Sequence, residues 1–242
     1  VAKSRFIEVG LELGGKDPAY VAADANLPFA IANVMEGAFF NAGQSCCAIE
    51  RVYVHKDQAA EFIAGAKAEV EGYVQGDPED AATFLGPMAL PSACDTLEQQ
   101  VKDAVSKGAT LLCGGSRAEG PGRFFRPTLL TNVNHSMTLM KEESFGPIIG
   151  IQVVESDEEA LGMMNDSEYG LTASIWTEDR NRARFLSDRL QTGTVFMNRC
   201  DYLDPAQPWT GVKNTGKGVT LSRHGFDGFT RFKNRHFRWK TA

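Results

Sequence analysis

Short, β-prone apolar runs alternate with helix-length segments along most of this 242-residue chain. Each strand–helix–strand unit closes most simply as a right-handed crossover between parallel strands. The pattern therefore predicts an α/β fold, a mostly parallel sheet flanked by helices. The clearest strand covers residues 148–154, apolar almost throughout, as expected where both faces are buried. Further strands are expected at 18–21, 51–54, 110–113, 171–176 and 193–197, with 127–130 extended. Helices are expected over about 28–40, 57–73, 91–107, 157–165 and 180–190. Asp24 or Asn26 caps the first, with Pro28 near its start. Ser156 caps the fourth, and Gly108 ends the third. At the start, residues 6–13 alternate, with Ile7, Val9, Leu11 and Leu13 on one face, and read as a strand ended by Gly14-Gly15.

Composition narrows the function classes. Hydrophobic residues at 43% and charged residues at 23% exclude a disordered chain. A folded chain of 26.4 kDa is expected to expose roughly 10,600 Å², against roughly 38,000 Å² unfolded, enough burial for a core without metals or disulfides. No run approaches ~18 uninterrupted apolar residues, so no membrane span is expected. The net charge of −6 argues against general nucleic-acid binding. Five cysteines with no CxxC pair disfavour a zinc ribbon or thioredoxin motif, and fit a reducing, cytoplasmic location. The Asn-x-Ser matches at Asn134 and Asn165 are then coincidental. Between Arg223 and Lys240, Arg231, Lys233, Arg235, Arg238 and Lys240 stand among Phe226, Phe229, Phe232, Phe237 and Trp239. Such interleaving suits stacked nucleic-acid bases. The acidity of the rest favours an arm packed on the protein's own body or on a second subunit.

Four segments are candidates for chemistry. Residues 211–218 match GxxxxGK but carry Gly218 where a phosphate loop needs Ser or Thr, and no GxGxxG occurs. Cys46 and Cys47 follow Gly43-Gln44-Ser45 and an apolar helix ending in Phe39-Phe40. A glycine turn beside a thiol lets backbone amides approach a reacting oxygen; the alternative is a pair of inert buried cysteines. Glu12, on the less apolar face of its strand and next to Gly14-Gly15, is either a general base or a solvated carboxylate. Glu142-Glu143-Ser144-Phe145-Gly146-Pro147 either binds ribose hydroxyls or is a polar loop. His55, His135, His224 and His236 are scattered without a catalytic or metal-ligand spacing, and no metal is expected.

These segments together resemble the NAD(P)-dependent aldehyde dehydrogenase superfamily. Leu11-Glu12-Leu13-Gly14-Gly15-Lys16 is similar to its glutamate signature, and residues 39–48, Phe39 through Gly43-Gln44-Ser45-Cys46-Cys47-Ala48, to its cysteine signature. The interval from Glu12 to Cys46 is also the family's. Glu143-Ser144-Phe145-Gly146-Pro147 resembles its cofactor-facing segment. Gly76-Asp77-Pro78, Leu85-Gly86-Pro87, Asn165 with Tyr169-Gly170-Leu171, and residues 193–213 follow in order.

The resemblance implies the catalytic-domain type of that family. Cys46 is then the nucleophile and Glu12 the base that hydrolyses its thioester. Glu143 and Phe145 bind NAD or NADP, and Phe40, Ser45, Cys47 and Trp209 line the aldehyde pocket. Residues 1–221 form the catalytic domain, and 222–242 an extended arm through which the chain forms a homo-oligomer. The family's N-terminal dinucleotide-binding domain, the source of most cofactor contacts, has no counterpart here. The start at Val1, without Met, reads as a boundary between the two. Two departures stand out. Thr220 occupies a position where the family often has Glu, and Pro208-Trp209-Thr210-Gly211 replaces Pro-Phe-Gly-Gly. A cofactor-independent thiol esterase and a non-catalytic assembly module are the alternatives.

Overall fold

The computed structural model describes residues 2–240. The chain runs through β1 (Leu11–Glu12), β2 (Asp17–Val21), α1 (Leu27–Phe39), β3 (Ile49–His55), α2 (Lys56–Glu71) and α3 (Ala93–Ser106). It continues through β4 (Thr110–Cys113), β5 (Thr128–Thr131), β6 (Ile148–Val154), α4 (Asp157–Asn165), β7 (Tyr169–Gly170) and β8 (Thr172–Trp176). Then come α5 (Arg180–Ser187), β9 (Thr194–Met197), β10 (Val212–Lys213) and β11 (Gly216–Lys217).

Seven strands form one sheet in the order β4-β5-β6-β3-β2-β8-β9. Every neighbouring pair is parallel except β4–β5. The crossovers from β2 to β3 and from β6 to β8 travel in opposite directions. With right-handed connections, α1 and α4 must therefore lie on opposite faces. Consistent with this, α1 packs on α2 while α4 packs on β2, β3 and β6. The central strands are buried on both sides, with Tyr20, Val21, Val52, Tyr53, Ile149 and Ile151 fully enclosed. Of the two capping residues considered, Asn26 accepts from the Phe29 amide. Asp24 instead pairs with Arg182 at 2.5 Å. Ser156 caps α4 as expected.

Two expectations need correction. Of the strand expected at residues 6–13, only β1 forms, and it pairs with β11 outside the central sheet. Ile7, Leu11 and Leu13 are exposed. Alternation marks a strand only where a sheet face is present to bury one side, and here none is. The C-terminal arm is not extended from its start: Arg223–Phe229 is a short 3₁₀ helix, opened by Ser222 accepting from the His224 amide. From Thr230 to Lys240 no regular element forms.

Candidate active site

The three candidate segments converge at one end of the sheet. The Gly14-Gly15 turn leads into β2, the Cys46 turn into β3, and the Glu143 segment into β6. Because these strands are parallel, all three loops lie at their amino ends.

The thiol turn is backbone-strained. Asn41, Ala42 and Gly43 have φ of 52°, 56° and 70°, three consecutive residues in the left-handed region. Such conformations persist only where the surroundings over-determine them. Here Gly43 lies so close to the Gly146 carbonyl that a β-carbon would collide with it. Gln44 adds two ties, accepting from the Ala89 amide at 2.8 Å and donating to the Pro87 carbonyl at 3.3 Å. The turn delivers Cys46 to the surface and Cys47 to the interior. Cys47 Sγ donates to Asp201 Oδ1 at 2.7 Å, with Ser45 Oγ at 3.5 Å. The two thiols are driven apart electrostatically. Hydrogen bonding with Cys47 lowers the Cys46 pKa to about 7, against the opposing effects of burial and the Asp201 and Glu12 carboxylates. The same bond, burial and Asp201 push the Cys47 thiol up.

The glutamate turn touches both other segments. Gly14, at φ +88°, lies directly against the Glu143 carboxylate, and a β-carbon at Gly15 would fall 2.9 Å from the Cys46 carbonyl. The Gly15 amide donates to Glu143 Oε1 at 3.0 Å. Burial raises the Glu143 pKa, and this hydrogen bond opposes the rise. Behind them sits a buried ion pair, Lys16 Nζ to Glu50 Oε2 at 2.6 Å. Glu50 also accepts from the Ser144 and Phe145 amides at 2.8 and 2.9 Å. That carboxylate fixes Phe145, at φ 49°, in a conformation unfavourable for a bulky residue. Phe145 is 39% exposed.

Glu12 is exposed, and its Oε1 accepts from Thr220 Oγ1 at 3.2 Å. Trp209 packs with Cys47 and Leu171 in a small apolar cluster. Phe40 and Asp201 line one cavity of about 520 Å³ with Glu36 and Arg199. Trp209 lines an adjoining one of about 440 Å³, which shares Arg199 and Tyr202. Residues 211–218, the phosphate-loop match, comprise β10, a short turn and β11 rather than a strand-to-helix loop. Glu142 parts from Glu143 and lines a different cavity with Lys141 and Lys213. Among the described residues, no group of three or more His, Cys, Asp or Glu side chains could hold a metal ion.

Sequence reasoning missed Asp201 and Glu50. Asp201 lies 154 positions from the thiol it bonds, and no motif surrounds it. Glu50 sits four residues after Cys46 inside an apolar strand. Two adjacent charges, Glu50 and Arg51, in a buried strand are the available signal, since such charges must find partners.

A lowered thiol, the Glu143 carboxylate and a glycine turn that touches both segments lie together at the amino ends of a parallel sheet. Residues 1–235 match the aldehyde dehydrogenase family, and the chain belongs to that family. Mitochondrial aldehyde dehydrogenase of Sus scrofa is 38% identical over 231 residues, covering 96% of this chain and 44% of the relative. Escherichia coli succinate semialdehyde dehydrogenase [NAD(P)+] Sad is 40% identical over 219 residues, covering 90% and 47%. Among solved structures, lactaldehyde dehydrogenase from Escherichia coli superposes with a TM-score of 0.88 at 36% identity, covering 90% of this chain and 46% of that one. A 3,6-anhydro-L-galactose dehydrogenase in complex with NAP gives 0.91 at 38% identity, covering 94% and 49%. The chain thus spans about half the length of the relatives it matches.

Proposed function

We propose that this chain is the catalytic portion of an NAD(P)-dependent aldehyde dehydrogenase, with Cys46 as nucleophile and Glu12 as general base. The observation that carries the reading is the convergence on Gly14-Gly15. One short turn contacts the Cys46 backbone and the Glu143 carboxylate, and follows Glu12 with only Leu13 between them. In this reading the Cys46 thiolate adds to the aldehyde carbonyl, and the Cys46 amide stabilises the oxyanion. Loss of hydride from the resulting thiohemiacetal leaves a thioester on Cys46. Water attacks the acyl carbon while its proton passes to Glu12. The C–S bond breaks, freeing the acid and the thiolate.

The residues present fit the cofactor. Glu143 Oε1 is engaged by Gly15, which leaves Oε2 to accept from ribose hydroxyls. The Phe145 ring is presented outward beside it. When bound, NAD(P) supplies the hydride acceptor. The remaining contacts are assigned to a separate dinucleotide-binding domain of the kind found in the family. We also read residues 1–221 as the catalytic domain and 222–242 as an arm for homo-oligomerisation. Exposed Phe226, Phe229, Phe232, Phe237 and Trp239 support that arm. Five free thiols support a reducing, cytoplasmic setting. Among the described residues no helix is long and apolar enough to cross a membrane.

A nitrophenyl ester tests the residue assignments without cofactor. Cys46→Ala should abolish acylation of the chain. Cys47→Ala should retain it. Hydrolysis that survives Cys46→Ala at the wild-type rate would refute the nucleophile assignment.

A further inference from the structure

Glu12 stands on a strand of two residues. Something must hold its carboxylate if it is to activate water reproducibly. We propose that Thr220 is the positioning residue for Glu12 in thioester hydrolysis, an inference that rests on the roles proposed above for Cys46 and Glu12.

The geometry supplies a clamp in two parts. Backbone pairing holds the strand: Leu11 and Glu12 lie opposite Lys217 and Gly216, and the Leu13 amide donates to the Thr215 carbonyl at 2.8 Å. The Thr220 hydroxyl holds the side chain at Oε1, 3.2 Å away. Thr220 is itself fixed by a two-bond bridge. Its amide donates to the Trp209 carbonyl at 2.9 Å, and its carbonyl accepts from the Trp209 amide at 2.8 Å. Trp209 packs against Cys47. The intervening turn is tied by Thr210 Oγ1 donating to the Gly218 carbonyl at 2.7 Å, with Gly218 at φ +101°. Base and thiol wall are therefore built on one framework, and Thr220 is the side chain that joins them.

The chemistry favours orientation over proton transfer. A threonine hydroxyl donates one hydrogen bond to a carboxylate but is no acid or base at neutral pH. Pinning Oε1 leaves Oε2 to take the proton from the attacking water. The bonds made and broken are those of the hydrolysis already described: water oxygen to acyl carbon forms, carbon to Cys46 sulfur breaks.

The test separates acylation from deacylation on the full chain. Nitrophenyl acetate supplies the acetyl group, the nitrophenolate burst reports acylation, and intact mass follows loss of acetyl from Cys46. Thr220→Val should leave the burst rate within about twofold and slow deacylation about tenfold, the scale of one hydrogen bond. Thr220→Ser should restore the wild-type rate. In a Glu12→Gln background, Thr220→Val should add nothing, because the two act as one unit. If Thr220→Val fails to fold by circular dichroism, Thr220→Ala provides the same contrast with Thr220→Ser. Wild-type deacylation in the folded Thr220 variant, with slow deacylation in Glu12→Gln, overturns the proposal and spares the reading beneath it. Wild-type deacylation in Glu12→Gln, or no acylation of the chain at all, overturns both.

Discussion

Cys46 and Cys47 are adjacent in sequence and opposite in ionisation. Hydrogen bonding between them lowers the Cys46 thiol, while the same interaction, burial and Asp201 raise the Cys47 thiol. The pH dependence follows with a definite sign. The thiolate is the reactive form, so alkylation of Cys46 should rise with pH, with a midpoint at about 7. An ordinary cysteine would be half ionised near ~8.5. Removing the neighbouring thiol in Cys47→Ala should move the midpoint up towards that ordinary value. Iodoacetamide rates, with the modified peptide located by mass spectrometry, check both points. Preferential modification of Cys47 would show that the two thiols had been assigned the wrong way round. The Gly-Gln-x-Cys spacing made this thiol legible in the sequence. Its tuning was not legible, because Asp201 comes from a loop after β9 that only the fold brings near.

At the scale of elements, burial decided what could be read. β3, β6 and β8 were found because strands enclosed on both faces need continuous apolar residues. Over residues 6–13 only Leu11–Glu12 forms a strand, because the alternation there has no sheet face to act on. The thiol turn was seen as a glycine turn, but nothing in Asn41-Ala42-Gly43 announces three successive left-handed residues. Only the close approach of Gly146 explains them. Gly43→Ala should therefore do two things at once. It places a β-carbon against the Gly146 carbonyl at a positive φ, which should cost roughly 1–3 kcal/mol of stability. It also separates the thiol turn from the Glu143 segment, and should slow Cys46 alkylation at pH 7. Urea unfolding measures the first and iodoacetamide the second. An alanine variant unchanged in both would mean that the packing of turn on turn is slack.

The whole molecule exposes 13,697 Å², about 3,000 Å² more than the roughly 10,600 Å² expected for its mass. That excess is of the order covered by an obligate interface. Two exposed apolar surfaces stand out. One is the edge bearing Phe6, Ile7, Leu11 and Leu13 beside the site, and the other is the aromatic arm. The arm contributes little to the fold it leaves: every residue from Phe226 to Lys240 is exposed, and the nearest regular sheet contacts end at β11. An isolated aromatic residue on a surface is ordinary, but five along one arm mark an interaction surface. Removal of residues 222–242 should accordingly leave the melting temperature within a few degrees, since stability follows buried apolar area and little is lost. Association should respond in the opposite way. In sedimentation velocity, the full chain should form a concentration-dependent oligomer, and the shortened chain should remain monomeric. A large drop in melting temperature would mean the arm packs on its own body, the other role its composition allows. Cooperative unfolding of the shortened chain would place the whole folding unit before residue 222, with the arm serving assembly alone.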